Sequence, residues 1–440
     1  MTAFRLLPLS AALAVALVSP ARAQSLVDLF ELARGYDATY QSAKSQYDAN
    51  LAKAEQARAA ILPSANLSAS ASRAQVENTN PSVDRSYSQQ SATLSASQPL
   101  YRPANFASYA QGKKSVESAQ AQLTLAGQDL ILRLSQAYFD VLAAQDTLTF
   151  VQAQKAAVAE QLASAKRNFE VGTSTITDSR EAQARFDLVT AQEIAADNDL
   201  RVKRLALDTL VGKTDTQPKP LATPVVLPAL QPDNVTLWVD QAEEASPSIN
   251  LARTNLELAK LETTKAEAGH MPTLDLTASY NVTRNPSGGS ASTVSSRSNS
   301  ASLGLALNVP LFAGFATQNR IKETLSLEEK ARTDLEAARR AVAQGTRTAF
   351  FGVISGLGQV KALQAAEASS QSALDANKLG YQVGVRINID VLNTQSQLFQ
   401  TKRDLAQARY NVLLGNLKLR QANGTLRLED LQMVNGVLAK

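Results

Sequence analysis

The stretch Leu274-Asp275-Leu276-Thr277-Ala278-Ser279-Tyr280-Asn281-Val282-Thr283-Arg284 alternates apolar and polar residues without a fault. A period of two places Leu274, Leu276, Ala278, Tyr280 and Val282 on one face of a strand and the polar residues on the other. Downstream, Leu303, Leu305, Leu307 and Val309 repeat the pattern, with Ser302, Gly304, Ala306 and Asn308 facing away. Asn285 to Asn299, between the two, is polar and is expected to be a loop. The first half of the chain carries a weaker copy in Leu67–Ser72 and Ala92–Ser97, with Val76 to Gln90 as its expected loop. Alternating segments of roughly 10 residues joined by polar loops are the pattern of an outer-membrane barrel. A half-buried sheet in a soluble domain is the competing reading, and it requires a second apolar layer. Four strands close no barrel, and lipid does not tolerate an open sheet edge. The membrane reading therefore requires further copies of the chain.

The weaker hairpin is one part of an internal duplication. Ala137-Tyr138-Phe139 and Ala349-Phe350-Phe351 stand 212 residues apart, as do Phe169-Glu170-Val171-Gly172 and Tyr381-Gln382-Val383-Gly384. Asp178 and Asp390, and Gln183 and Gln395, keep the same spacing. Leu62-Pro63 and Gln98-Pro99-Leu100 have counterparts in Met271-Pro272 and Val309-Pro310-Leu311 at nearly that offset. The expected organisation is a signal peptide over 1–23, a first repeat over 24–212, a connector over 213–234, a second repeat over 235–422 and a tail over 423–440. Each repeat reads as helix, hairpin (about 62–99 and about 272–310), long helix, turn and helix. Pro218, Pro220, Pro224, Pro228 and Pro232 make the connector extended.

The helices are long. Leu26 to Ile61 and Val235 to Gly269 read as the entry helices, ended by Pro63 and Pro272. Asn105–Phe169 and Thr317–Leu379 contain no proline, and about 65 helical residues span on the order of 100 Å. After each turn comes a shorter helix. In the second repeat Val391, Leu398, Leu405, Val412 and Leu419 recur every seven residues, with Thr394, Thr401, Ala408, Gly415 and Ala422 as small partners. Large facing small describes a close coiled-coil seam. In the first repeat Phe186, Leu200 and Leu207 fit the pattern and Glu193 breaks it.

Composition narrows the function. The chain has 440 residues, no cysteine, one histidine (His270) and a formal net charge of +4. This excludes disulfides, thiol chemistry, cysteine-based metal sites and a lipid-attachment cysteine. No dense Lys/Arg cluster suggests nucleic acid. No cofactor is expected. Arg5, the apolar run Leu6–Val18 and Ala21-Arg22-Ala23 read as a secretory signal, too short to be a membrane anchor. Lone Trp238 is expected to pack near the connector, and Gly172 and Gly384 to serve turn geometry.

Taken together, the chain resembles the TolC family of outer-membrane channels over nearly all of its mature length. The most specific stretch is Gly380-Tyr381-Gln382-Val383-Gly384-Val385-Arg386-Ile387-Asn388-Ile389-Asp390-Val391-Leu392, followed by Ala408-Arg409-Tyr410-Asn411. Asn168-Phe169-Glu170-Val171-Gly172 through Ile176-Thr177-Asp178 is its first-repeat counterpart. The resemblance implies a mainly α fold with membrane β: a homotrimer whose four strands per chain make a twelve-stranded barrel above a helical periplasmic tunnel. It implies outer-membrane lipid around the barrel, and as partners a periplasmic adaptor and an inner-membrane ABC or proton-driven transporter. The task would be passive passage of proteins or small toxic molecules, with no enzymatic step.

The resemblance also assigns residues. The closing contacts of the tunnel fall on Tyr381 and Arg386 on one side and Thr177 and Asp178 on the other, and Arg386 is expected to fork onto Asp178. Asp390 matches the carboxylate at the narrowest point. One turn on, Asn393 replaces a second acidic residue of the family, which implies weaker cation selectivity. Helix N-cap is the plain alternative for Asp390. For the whole chain, a periplasmic coiled-coil adaptor or structural protein without a pore is the competing reading.

Overall fold

The structure, a computed structural model, describes residues 24–80, 82–290 and 292–439. The expected signal peptide lies outside them. In chain order the elements are α1 (Leu26–Tyr36), α2 (Ala38–Ala59), β1 (Ser64–Thr79), β2 (Ser82–Tyr101), α3 (Pro103–Glu170), α4 (Ile176–Val211), α5 (Val235–Ala245), α6 (Pro247–Glu267), β3 (Thr273–Asn285), β4 (Ser296–Asn308), α7 (Ala316–Gln382), α8 (Asn388–Ala422) and α9 (Leu428–Asn435). Two compact units result. One contains Lys44–Leu123 and Ser248–Arg339; the other contains the described residues of Met1–Ala43, Thr124–Pro247 and Arg340–Lys440.

The first of these holds one antiparallel sheet in the order β1-β2-β3-β4. Its register lines the alternation up across all four strands. Leu67 faces Leu94, which faces Tyr280, which faces Ala301; Ala65, Ala96, Ala278 and Leu303 form the next row. The face so built is apolar yet bare within one chain, with Leu67 and Leu303 each 76% exposed. The opposite face is stitched by hydroxyls and amides: Ser70 with Ser91 at 2.8 Å, Thr93 with Asn281 at 2.9 Å, Ser279 with Ser302 at 2.8 Å.

The expected loops were too long. Within that stretch, residues 76–79 and 82–90 are strand: Val76 pairs with Arg85 and Thr79 with Ser82. In the second hairpin β4 already begins at Ser296. These segments carry polar residues on both faces, so alternation is silent. The ladder is held instead by backbone bonds and side-chain links, such as Gln75 Nε2 to Asp84 Oδ1 at 3.0 Å. Alternation detects one-sided burial, not the strand itself.

The entry helices are also not single. Helix breaks at Asp37, between α1 and α2, and at Ser246, between α5 and α6. Asp37 accepts from the Tyr40 N–H at 2.7 Å and takes a two-pronged bond from Arg133 at 2.9 and 3.0 Å. Arg133 holds the Asp37 carboxyl below its ordinary range. Ser246 precedes Pro247, whose ring pushes it to extended backbone. The tail is not featureless either. It forms α9, which buries Leu431 and Val434 and pairs Asp430 with Arg420 at 3.0 Å.

The long helices are unbroken, α3 over 68 residues and α7 over 67. The α8 heptad is buried throughout: Val391, Leu398, Leu405, Val412 and Leu419 are all at or below 3% exposure. Each such leucine contributes about 2 kcal/mol by leaving water. A Cβ at Gly415 would stand 3.3 Å from Val353 Cγ2, and one at Gly356 3.0 Å from Val412 Cγ2, so α7 and α8 approach where side chains are missing. In α4 the seam runs Ala182, Val189, Ala196 and then steps to Leu200 and Leu207. Glu193 does not break it, because its carboxylate reaches Lys155 Nζ at 2.6 Å. Trp238 is buried with Leu230, Phe350, Val353 and Leu419, and its Nε1–H donates to the Pro232 carbonyl of the connector at 2.8 Å.

Candidate functional site

The two turns that join long helix to short helix share one backbone. Gly172 and Gly384 each end the long helix in the left-handed region, at φ +78°. The Thr173 N–H returns to the Asn168 carbonyl at 2.8 Å, and the Val385 N–H to the Gly380 carbonyl at 2.8 Å. These bonds satisfy carbonyls that a helix end leaves free.

The helix starts that follow differ. Thr175 caps α4: the Asp178 N–H donates to its hydroxyl oxygen at 3.2 Å, and Asp178 Oδ2 accepts from the Thr175 N–H at 3.1 Å. The hydroxyls of Ser174 and Thr175 donate to the same oxygen, at 2.7 and 2.9 Å. The Ser174 hydroxyl, with Thr175 behind it, holds the Asp178 carboxyl below its ordinary range. In α8 the N-cap is Ile387, which offers no capping side chain. Asp390 is the third residue of α8, not its cap, so the plain alternative for it falls. Its Oδ2 lies 3.6 Å from an Arg386 nitrogen.

Asp178, Tyr381 and Arg386 line one cleft of about 540 Å³, together with Asn168, Ser174, Thr175 and Asn388. Thr177 lies exposed on the first turn of α4, outside that lining. The expected fork from Arg386 to Asp178 is not formed within one chain. The cap has taken the carboxylate, and Arg386 has turned to Asp390. Tyr381 finds a different partner: its hydroxyl oxygen accepts from Asn168 Nδ2 at 3.3 Å. Asn393 accepts from an Arg185 nitrogen at 2.9 Å. Asn388 accepts from Gln161 and donates to the Asp178 carbonyl at 3.4 Å, tying the start of α8 to α3 and α4.

Sequence reading missed Asn168, Ser174, Thr175 and Arg185. Thr175-x-x-Asp178 is a capping-box spacing and was available in the sequence. Nothing in the sequence marked Arg185, whose partner is 208 residues away.

Residues 29–213 and 238–425 match the family described as "Outer membrane efflux protein". The chain belongs to that family. It is 34% identical to the "Outer membrane protein TolC" of Vibrio cholerae over 99% of this chain and 98% of that protein. It is 30% identical to the "Proteases secretion protein PrtF" of Dickeya chrysanthemi over 94% of this chain and 91% of that one. Among solved structures, the outer membrane protein VceC of Vibrio cholerae superposes with a TM-score of 0.77 at 19% identity, covering 91% of this chain and 96% of its own. The fold is thus that of the outer-membrane channel-tunnels. The chain is an outer-membrane channel protein and catalyses no reaction. Among the described residues no helix is long and apolar enough to cross a membrane.

Proposed function

We propose that three copies of the chain close a twelve-stranded barrel and give passive passage from an inner-membrane transporter, through a periplasmic adaptor, to the outside. The sheet carries this reading. Among the described residues β1 and β4 have one neighbour each, and the apolar face is exposed at Leu67, Leu94, Tyr280, Leu303, Leu305 and Leu307. An open edge in hydrocarbon leaves backbone groups without partners, so the strands of further copies must complete it. Relatives named for protease secretion extend the cargo to proteins as well as small toxic molecules.

The two turns form the closing end, with Thr177, Asp178, Tyr381 and Arg386 as gate contacts and Asp390 with Asn393 at the constriction. Exposed ion pairs contribute about 0–1 kcal/mol each, which suits a closure that a docking partner must undo. The test is single-channel conductance of the detergent-extracted oligomer in a planar bilayer. Wild type is expected to conduct in small discrete steps, and Arg386→Ala with Tyr381→Phe to conduct in larger ones. Unchanged steps in a correctly assembled double variant would remove the gate assignment. A monomer that conducts nothing, alone or as that variant, would return the adaptor-like reading.

A further inference from the structure

The apolar face of the sheet ends in two arginines that stand directly opposite each other. On β3 that face runs Leu274, Leu276, Ala278, Tyr280, Val282 and then Arg284. On β4 it runs Leu307, Leu305, Leu303, Ala301, Asn299 and then Arg297. Arg284 and Arg297 are register partners, and both are exposed. Side chains so paired stand about 5 Å apart at Cβ, and like charges there repel. The same row continues through Gln90 on β2, whose amide is a further donor. Among the described residues neither arginine has an ion pair or a side-chain hydrogen bond.

The remaining charges of the two hairpins do not answer them. These are Arg73, Glu77, Asp84, Arg85 and Asp275. Asp275 lies at the other end of β3 and is taken by Arg102 at 2.7 Å. Arg85 is an odd number of residues from Gln90 on β2, so it faces the other way, and it donates to the Ser287 carbonyl at 3.1 Å. Glu77 and Asp84 are partners of each other. Asp84 stands beyond Gln90 along β2 by about 20 Å, about two Debye lengths at 0.1 M salt. Arg73 only adds positive charge.

The height of the pair on the barrel wall identifies the occupant. The bases of the strands run on into helices, α3 from Pro103 and α7 from Ala316. With those helices in the periplasm, the hairpin ends face outward. Leu274 to Arg284 spans about 34 Å along the strand, or about 26 Å in height at a tilt of roughly 40°. An outer-membrane barrel shows lipid an apolar band about 25 Å tall. The arginines therefore stand where the band ends and the outer-leaflet headgroups begin. Aromatic side chains are the usual occupants of that level; here two guanidinium groups and an amide hold it. The anions found there are lipid phosphates, whose oxygens fit a guanidinium fork.

We propose that Arg284 and Arg297 clamp a phosphate group of an outer-leaflet lipid against the barrel wall, with Gln90 as a third donor. A phosphate between the two guanidinium groups turns their repulsion into shared attraction. The proposal rests on the reading that the apolar face meets lipid.

The experiment is native mass spectrometry of the detergent-extracted channel with diphosphoryl lipid A, with the same glycolipid stripped of phosphate, and with inorganic phosphate. Diphosphoryl lipid A is expected to stay bound and the stripped form to be lost. Arg284→Gln and Arg297→Gln should each weaken binding about fivefold, the effect of one basic residue beside an anionic surface. Arg284→Gln carries the test alone if Arg297→Gln, on the edge strand, does not assemble. Equal retention of the two glycolipids would leave only acyl-chain contact and overturn the clamp. Displacement of the lipid by an equal concentration of inorganic phosphate would make the site one for a free anion and overturn the lipid assignment. Loss of the oligomer in Arg297→Gln and Glu77→Gln alike, with no dependence on lipid phosphate, would give Arg297 to an ion pair between copies. A wild type that holds neither lipid nor detergent would instead refute the lipid-facing reading itself.

Discussion

The turn at 171–175 and the turn at 383–387 follow the same backbone and end in the same aspartate, 212 residues apart, yet the two aspartates do different work. Asp178 is bound into the cap of its own helix by three donors. Asp390 has no such cap and is left to an arginine. Two positions decide which: the hydroxyls of Ser174 and Thr175 stand where the second turn has Arg386 and the sec-butyl side chain of Ile387. The duplication has kept the geometry of the turn, which glycine and backbone bonds enforce. In the second copy it has left the carboxylate to the arginine of its own turn.

The backbone half of this comparison should fail first and equally in both copies. Gly172→Val and Gly384→Val each place a β-branched residue at φ +78°, at a cost of about 2 kcal/mol. Hydrogen exchange of the peptides across each turn should then rise about 30-fold, since 1.4 kcal/mol is about tenfold. A turn that tolerates valine would show that its glycine is not what shapes it, and would end the equivalence.

The side-chain half should fail unequally. Thr175→Ala removes a cap worth about 1 kcal/mol, so the first turns of α4 should exchange several-fold faster. Ile387→Ala removes no capping bond, and α8 should lose little on that account. Ile387→Thr reverses the difference: it supplies a hydroxyl at the N-cap, and α8 should gain protection while Asp390 leaves Arg386. Equal losses from Thr175→Ala and Ile387→Ala would mean that packing, not capping, fixes both helix starts.

How far this was legible follows from the kind of signal each feature gives. The long helices, the α8 heptad and the alternation of Leu274–Arg284 are periodic burial, which sequence displays directly. The polar parts of β1 and β2 bury neither face, so no period marks them. The breaks at Asp37 and Ser246 are local: Pro247 announced the second, but the first depends on Arg133, far along the chain. At the site, the resemblance placed Asp178, Tyr381 and Arg386 where the structure gathers them. It did not foresee that a four-residue capping pattern would consume the carboxylate. Arg185 was invisible because its meaning depends on a partner 208 residues away.

The smallest expected effect is on pH. Hydrogen bonds from Ser174 and Thr175 depress the Asp178 carboxyl below its ordinary value of 3.8. A group whose pKa is lower folded than unfolded stabilises fully above the unfolded value and loses that contribution as pH falls through the folded one. The α4 cap should therefore be unchanged from neutral pH down to about 5 and loosen below about 4. Hydrogen exchange of the 171–182 peptide, corrected for the intrinsic pH dependence of exchange, would show protection falling only in that window. Asp178→Asn should flatten the profile at its acid level. The amide still accepts from the capping N–H, but it cannot gain by ionising, so charge and not geometry would be seen to supply the difference. A profile as steep in Asp178→Asn as in wild type would assign the acid sensitivity to another group and leave the cap a neutral hydrogen-bonded turn.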